Sequence, residues 1–448
     1  MSLYPLPWSW AAIEVNNLSL NRRTKKMLRN LVASASRSLV SVSRKSRLVS
    51  TQTGVAAQQH PKPVATVDGE LVSLQLPSGE HHKFPVMWLR DNCQCPKCFN
   101  SQQMSRIIYW DELDTNIKPA DIQADREKLS VKWSDGHSSQ YKLEWLQDRS
   151  FHPEDQKKWL DETYRLPKAG WNAENFESIL QRFKYSDVVN SQEHFRGWLE
   201  AMAKYGVAIM YDTPPTVESL RELGDKVMYP RRTHYGLQYH VKIKPDATNV
   251  AFLKDKLEMH TDLMYCENKP GINMLHCVVQ TKGVGGDNLL TDGYYLSEKL
   301  KVTNPEAYKT LSTVPVTWSD VGKHGGRLFY FLYRTPVITN DLYGEFVRIN
   351  YSQPQRSSHF TAPLEQVVAW YKAYDIFTKE LNSPENQARI KTRPGEILIF
   401  DNIRLIHGRA AYDDNPGNER HLIGQFVDWD EALARLRVLR KDAGLVKI

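Results

Sequence analysis

Five cysteines in 448 residues are too few for a disulfide scaffold, which excludes the small secreted class held together by cross-links. No run of about eighteen apolar residues occurs, so the sequence offers no candidate for a membrane span. Gly283-x-Gly285 lacks the third glycine of a dinucleotide fingerprint, Asn288 standing in its place, and there is no Walker motif. Acid is nearly missing from residues 1–67, where ten Lys/Arg face only Glu14. The formal charge of +7 is therefore local: of 59 basic and 52 acidic residues, 49 and 51 belong to the rest of the chain. With a near-neutral body, a nucleic-acid-binding surface loses its support.

What the leading stretch does have is Arg22, Arg23, Lys25, Lys26, Arg29, Arg37, Arg44, Lys45 and Arg47 among many Ser and Leu. That composition predicts a targeting or disordered leader over residues 1–60 and a mitochondrial location, the cytoplasm being the alternative. Met1 to Asn17, with Trp8 and Trp10, is unlike a presequence, and Met27 would open a cleaner one.

The remaining length and a hydrophobic content of 41% suffice for two folded domains. Residues 61–150 read as a small β-rich domain, with Leu71 to Leu76 alternating at period two between the turn residues Gly69 and Gly79. Asp135-Gly136 reads as a tight turn between Leu129–Trp133 and Ser138–Leu143. The stretch from Asp148 to Gly170 reads as a linker. Residues 151–448 form the second domain. Apolar spacing there predicts helices over 193–205, 216–227 and 364–381 and a shorter one from Asp430. Strand-like pieces at Val347–Tyr351, Glu396–Phe400 and His421–Val427 predict a sheet sandwich, so the fold class is mostly β with flanking helices.

Three of the five cysteines, Cys93, Cys95 and Cys98, fall within six positions. Soft thiolates so spaced can wrap one tetrahedral zinc, and His137, at the tip of the predicted hairpin, is the candidate fourth ligand. Reduced buried thiols and a redox pair are the alternatives. A second constellation is His260-Thr261-Asp262, two ligand types two residues apart at a strand end and so projecting to one side. The candidate third ligand is His407, which follows an apolar strand and precedes Gly408. Two histidines and a carboxylate on one face of iron(II) leave three positions for a chelating oxoacid and oxygen. On bare spacing, a His-x-Asp pair is more often solvated or satisfied in a core. The distal carboxylate of 2-oxoglutarate needs a fixed cation, and Arg420, thirteen residues after His407, is the favoured anchor over Arg404 and Arg409.

Trp88-Leu89-Arg90-Asp91-Asn92-Cys93-x-Cys95, His260-Thr261-Asp262, Leu275-His276-Cys277, Gly285-Gly286-Asp287, Asp292-Gly293, Phe400-Asp401-Asn402 and Leu405-x-His407-Gly408-Arg409 together resemble the γ-butyrobetaine/trimethyllysine dioxygenase family over roughly residues 68–440. The resemblance implies a small N-terminal zinc domain followed by a double-stranded β-helix (jelly-roll) domain. It also implies iron at His260, Asp262 and His407, zinc at Cys93, Cys95, Cys98 and His137, and 2-oxoglutarate on Arg420. Ascorbate is a further cofactor candidate. The implied substrates are O2 and a small quaternary-ammonium molecule, and the implied assembly is a homodimer. A trimethylammonium group donates no hydrogen bond and is held by aromatic π faces. Tyr235, Tyr239 and Phe252 stand at the family's cage positions, while Asn249 and Asn350 match positions near the substrate carboxylate. Two cage positions depart in residue type, Tyr239 and Phe252. Leu263 follows Asp262 where some members have tyrosine, with Tyr265 as the nearby substitute. The complete cysteine set and Phe426-Val427-Asp428-Trp429-Asp430 resemble the γ-butyrobetaine type, which hydroxylates C3 to give L-carnitine; the leader favours the trimethyllysine type. A reading from another class is a non-catalytic zinc-binding interaction protein.

Overall fold

The computed structural model describes residues 62–242, 255–413 and 418–447. The basic leader, Asn249 and Phe252 lie outside the described residues.

The first part of the chain builds its own apolar cluster. Strands Val64–Asp68, Leu71–Gln75 and His81–Pro85 form one antiparallel sheet, and Pro119–Ala124, Lys128–Trp133 and Ser138–Lys142 form another. Their alternating apolar residues, Val72, Leu74, Phe84, Leu129, Val131, Trp133 and Tyr141, meet in one buried group. Asp135-Gly136 makes the predicted turn, Gly136 at a φ of 82° that L side chains avoid. The segment expected as a linker is partly ordered into a helix at Pro153–Trp159 with a further helical turn to Tyr164, started by Pro153 at the first helical position.

Two sheets dominate the rest of the chain. The larger, seven-stranded, runs in the order Pro230–Arg231, His421–Val427, Ile272–Val279, Ile397–Asp401, Val207–Tyr211 and Gln181–Lys184, with Gln238–Val241 also paired to His421–Val427. The smaller runs Leu257–His260, Leu405–Arg409, Asn288–Asp292 and Ala388–Ile390. Both faces of the larger sheet are covered, so its strands read as near-continuous apolar runs, and period-two alternation sorts them. Ile209, Leu275, Cys277, Leu398 and Phe400 point inward and share a cluster with Leu290 and Leu405 of the smaller sheet. Met210, Met274, Ile397 and Ile399 point outward, under the helices Gln192–Tyr205, Val217–Val227 and Trp429–Asp442. The outer side of the smaller sheet is covered by Gly293–Thr303, Pro305–Thr313 and the 19-residue helix Leu364–Asn382, whose Trp370, Tyr374, Phe377 and Leu381 are buried. Tyr371, next to Trp370 in the same helix, is exposed. A long hairpin, Val316–His324 with Arg327–Thr335, adds the remaining wall. Among the described residues no helix is long and apolar enough to cross a membrane.

Candidate metal centres

The Val86–Asp91 helix delivers the chain into Cys93, and its end is held where the Tyr141 hydroxyl donates to the Leu89 carbonyl. The His137 ring enters from the facing turn, its Nε2 3.3 Å from Cys93 Sγ and 3.6 Å from both Cys95 Sγ and Cys98 Sγ. A tetrahedral zinc with ordinary Zn–S and Zn–N bonds separates S from N by about 3.6 Å, so these four donors already stand at ligand spacing. Their supports are specific. Asp135 Oδ1 accepts the His137 backbone N–H at 2.8 Å, while its Oδ2 binds Arg90, whose Nη1 reaches Cys98 Sγ at 3.6 Å. Burial, and then the neighbouring Cys93, push the Cys98 thiol up to about 12, so a set of thiolates here needs a cation to hold it.

The second cluster forms across a strand pair. Leu257–His260 lies antiparallel to Leu405–Arg409 with His260 opposite His407, and the two imidazole centroids are 4.3 Å apart. Asp262, just past the strand end, completes the set. His260 Nε2 is 3.4 Å from Asp262 Oδ1, His407 Nε2 is 3.6 Å from Oδ2, and all ligand atoms lie within 4.8 Å of one another. His260 Nδ1 donates to the Glu258 carbonyl at 2.8 Å, which fixes the tautomer and leaves Nε2 with a lone pair for a metal. Burial and then the adjacent His260 push His407 down to about 3, so it is neutral and able to ligate. Burial works against the Asp262 charge, but His407, His260 and Asn273 outweigh it and hold the carboxyl below its usual range.

Two asparagines unnoticed in the sequence as site residues hold Asp262. Asn402 Oδ1 accepts the Asp262 backbone N–H at 2.7 Å, and its Nδ2 donates to the carbonyls of Asp262 and Pro270, both at 3.0 Å. Asn273 Nδ2 donates to Asp262 Oδ2 at 2.6 Å. The next residue, Leu263, adopts a φ of 53°, a left-handed conformation that costs a non-glycine residue roughly 1–2 kcal/mol. Phe400-Asp401-Asn402 was legible as a motif, yet only the fold shows Asn402 reaching across to residue 262.

His260 and Asp262 open onto a cavity lined also by Tyr235, Tyr239, Leu263, Tyr265, Gln355 and Phe426. Tyr235 and Tyr239, expected from the sequence, are thus beside the metal donors, and Tyr265 joins them. Tyr239 stacks on Phe426 with centroids 5.3 Å apart and lies flat over Gly424, where a Cβ would stand 2.1 Å from the ring. Asn350 sits elsewhere: fully buried, its Nδ2 donates to the Pro336 carbonyl at 3.1 Å and to Thr339 Oγ1 at 3.3 Å, and it is not among the residues lining this cavity.

The three arginines separate cleanly. Arg404 is committed, paired with Asp292 at 2.8 Å and donating to the carbonyls of Lys204 and Ala169. Arg409 donates to the Asp255 carbonyl at 2.8 Å. Arg420 is buried and donates through Nη2 to Asn288 Oδ1 at 3.1 Å, while its Nε has no hydrogen-bond partner among the described residues. Burial and then Arg409 lower its pKa to about 10, which leaves it charged at neutral pH. Asn288 is two residues from Leu290, the register partner of His407, so about 7 Å of strand separates the Arg420 contact from the triad.

Two histidines and a carboxylate clustered at one aromatic cavity, with the buried Arg420 held two residues along the neighbouring strand, are the arrangement of a 2-oxoglutarate-dependent dioxygenase. The chain belongs to the family described as taurine catabolism dioxygenase TauD, TfdA, whose model matches residues 162–425, and the γ-butyrobetaine hydroxylase-like N-terminal model matches residues 64–147. It is 34% identical to gamma-butyrobetaine dioxygenase of Homo sapiens over 362 residues, covering 81% of this chain and 92% of that one. It is 30% identical to mitochondrial trimethyllysine dioxygenase of Bos taurus over 359 residues, covering 80% and 83%. Among solved structures, the non-heme iron oxygenase OrfP with Fe and α-ketoglutaric acid matches at a TM-score of 0.41 and 15% identity, over 53% of this chain and 78% of that one.

Proposed function

We propose that this chain hydroxylates γ-butyrobetaine at C3 to give L-carnitine, using iron(II) at His260, Asp262 and His407 and 2-oxoglutarate on Arg420. The convergence of that triad on an aromatic cavity carries the reading. Iron(II) with 2-oxoglutarate and O2 supplies the oxidising chemistry, succinate and carbon dioxide leaving as co-products. The chain's own residues do the positioning. The Glu258 carbonyl and the Asn402 and Asn273 amides fix the donors, so that their geometry is set before anything binds. Arg420, buried and with no partner at Nε among the described residues, supplies a cation that a carboxylate would satisfy. Tyr235 and Tyr239 offer π faces to a quaternary ammonium beside the triad, which aims one C–H bond at the metal. No side chain is required as a general base.

The two sheets form the catalytic double-stranded β-helix over residues 151–448. Residues 61–150 form a structural zinc domain, closed by four protein ligands. Residues 1–60 act as a mitochondrial leader, and the assembly is a homodimer, the commonest symmetric form. Trimethyllysine is the alternative substrate, favoured by the 30% identity to enzymes named for it. Both share the quaternary ammonium, so one assay separates them: incubate the protein with iron(II), 2-oxoglutarate and each substrate in parallel and read products by mass spectrometry. Carnitine at a rate at least about tenfold above hydroxytrimethyllysine is the expected result; the reverse ratio moves the chain to the second reading, and neither product sinks both.

A further inference from the structure

Asn273 is a polar residue on an apolar face. In the strand Ile272–Val279 it shares the inward side with Leu275 and Cys277, and it is fully buried, so both ends of its amide must be paired. The ionised Asp262 carboxylate can only accept, which turns the amide NH2 towards it and leaves the carbonyl facing the other way. There Tyr239 donates its hydroxyl to Asn273 Oδ1 at 2.9 Å, while Asn273 Nδ2 donates to Asp262 Oδ2 at 2.6 Å. A directed line of two hydrogen bonds therefore runs from a cavity ring to a metal-donor carboxylate. Neither end is loose. Behind the ring, Gly424 leaves no room beyond the absent Cβ, and Phe426 stacks on it. In so dry a setting each hydrogen bond polarises the next, and loss of one is felt by its neighbour.

We propose that Asn273 is a positioning residue that couples the Tyr239 ring to Asp262, so that filling the cavity with the cationic substrate sets the orientation of the metal-binding carboxylate. This coupling rests on the proposed function of the triad and its cavity. A ring held only by packing would serve as a cage; a ring whose hydroxyl is tied to the ligand carboxylate also reports whether the cage is filled. Without the tie, 2-oxoglutarate is consumed out of step with hydroxylation, an exogenous reductant such as ascorbate supplying the electrons that unproductive turnover needs.

The test uses the full chain with the cysteine cluster zinc-loaded, as wild type, Asn273→Ala, Tyr239→Phe and the double variant. Anaerobic Co(II) titration followed by visible absorption reads the triad directly, and succinate formed per hydroxylated product reads the coupling. Asn273→Ala is expected to weaken Co(II) binding by about 10–100-fold. Tyr239→Phe, which keeps the ring and removes the hydroxyl, is expected to weaken it by a few-fold and to raise succinate per product at least about twofold. The double variant should be no worse than Asn273→Ala, because the hydroxyl has then already lost its partner. Unchanged Co(II) affinity with one succinate per product in Tyr239→Phe overturns the coupling, as do effects that multiply in the double variant. Should Asn273→Ala not fold, as judged by its melting curve, Tyr239→Phe alone decides. Wild type that neither binds Co(II) nor forms succinate counts against the triad itself, a different failure.

Discussion

Cys93, Cys95, Cys98 and His137 come from a helix end and a hairpin turn and offer four donors to one point. His260, Asp262 and His407 come from a strand pair and offer three, beside a cavity lined by aromatic rings. The first arrangement is closed: its four donors would fill every position of a tetrahedral metal, and its outer contacts, Arg90 and Asp135, bind each other and Cys98. The second is open: His260, Asp262 and Tyr239 line a cavity, and the buried Arg420 is held by Asn288 two residues along the neighbouring strand. Soft sulfur suits a metal that holds a fold together; imidazole and carboxylate with free positions suit one that does chemistry. On the proposed assignment, one cluster would hold a metal for stability and the other a metal for reaction, and each should then fail in its own way.

The largest expected effect is at the open site. Asp262→Ala removes a charged ligand, and with it several kcal/mol of stabilisation at the metal, on the order of a 1,000-fold loss of succinate formation. Zinc content and the melting temperature should stay close to wild type, measured by elemental analysis and calorimetry on the same sample. A variant that also loses its zinc would break the division between the two regions. The converse change is Cys98→Ser. It should release zinc and destabilise the region of residues 62–150 by about 3 kcal/mol, on the order of 15 °C for a unit of this size, while iron binding at the triad persists below that transition. Equal loss of iron would show that the clusters do not act independently.

The closed site was the more legible of the two in sequence, and the reason is physical. Three of its ligands are within six residues, and the fourth is named by the turn that Asp135-Gly136 forces, so local chemistry nearly specifies it. The open site joins residues 260 and 407 through strand pairing, so the residues alone offered His407 only as a candidate; the family resemblance singled it out, and the register His260 opposite His407 explains it. What holds the open site was not visible. Asn273 and Asn402 look like any asparagine until the larger sheet brings them to Asp262, and Arg404, a rival anchor by sequence, proves to be the buried partner of Asp292. The hairpin Val316–Thr335 went unread because its alternation packs one side on the cavity wall and leaves Leu328, Tyr330 and Leu332 exposed, so it carries no clean apolar-in, polar-out pattern. Helices fared best, with His421–Val427 the strand read to the residue, because both depend on local periodicity.

The smallest effect concerns acid, which should reach the two regions through different groups. In the cysteine domain, protons compete directly with the metal for its ligands, so acid stability follows zinc release. The sheet sandwich carries His276, fully buried on Ile272–Val279 and not a metal donor, whose pKa burial pushes down to about 4. Neutral in the folded chain and free to protonate near 6.5 once unfolded, it favours unfolding as pH falls: its contribution is complete above about 6.5 and is lost progressively towards 4, at most roughly 3 kcal/mol in all. Urea unfolding of the sheet sandwich at pH 7, 5.5 and 4.5 should therefore show a decline that is shallower in His276→Leu than in wild type, once each curve is referred to its own value at pH 7. Parallel curves would mean that His276 keeps a proton partner in the folded chain, and that acid enters this region, like the other, only through its metal donors.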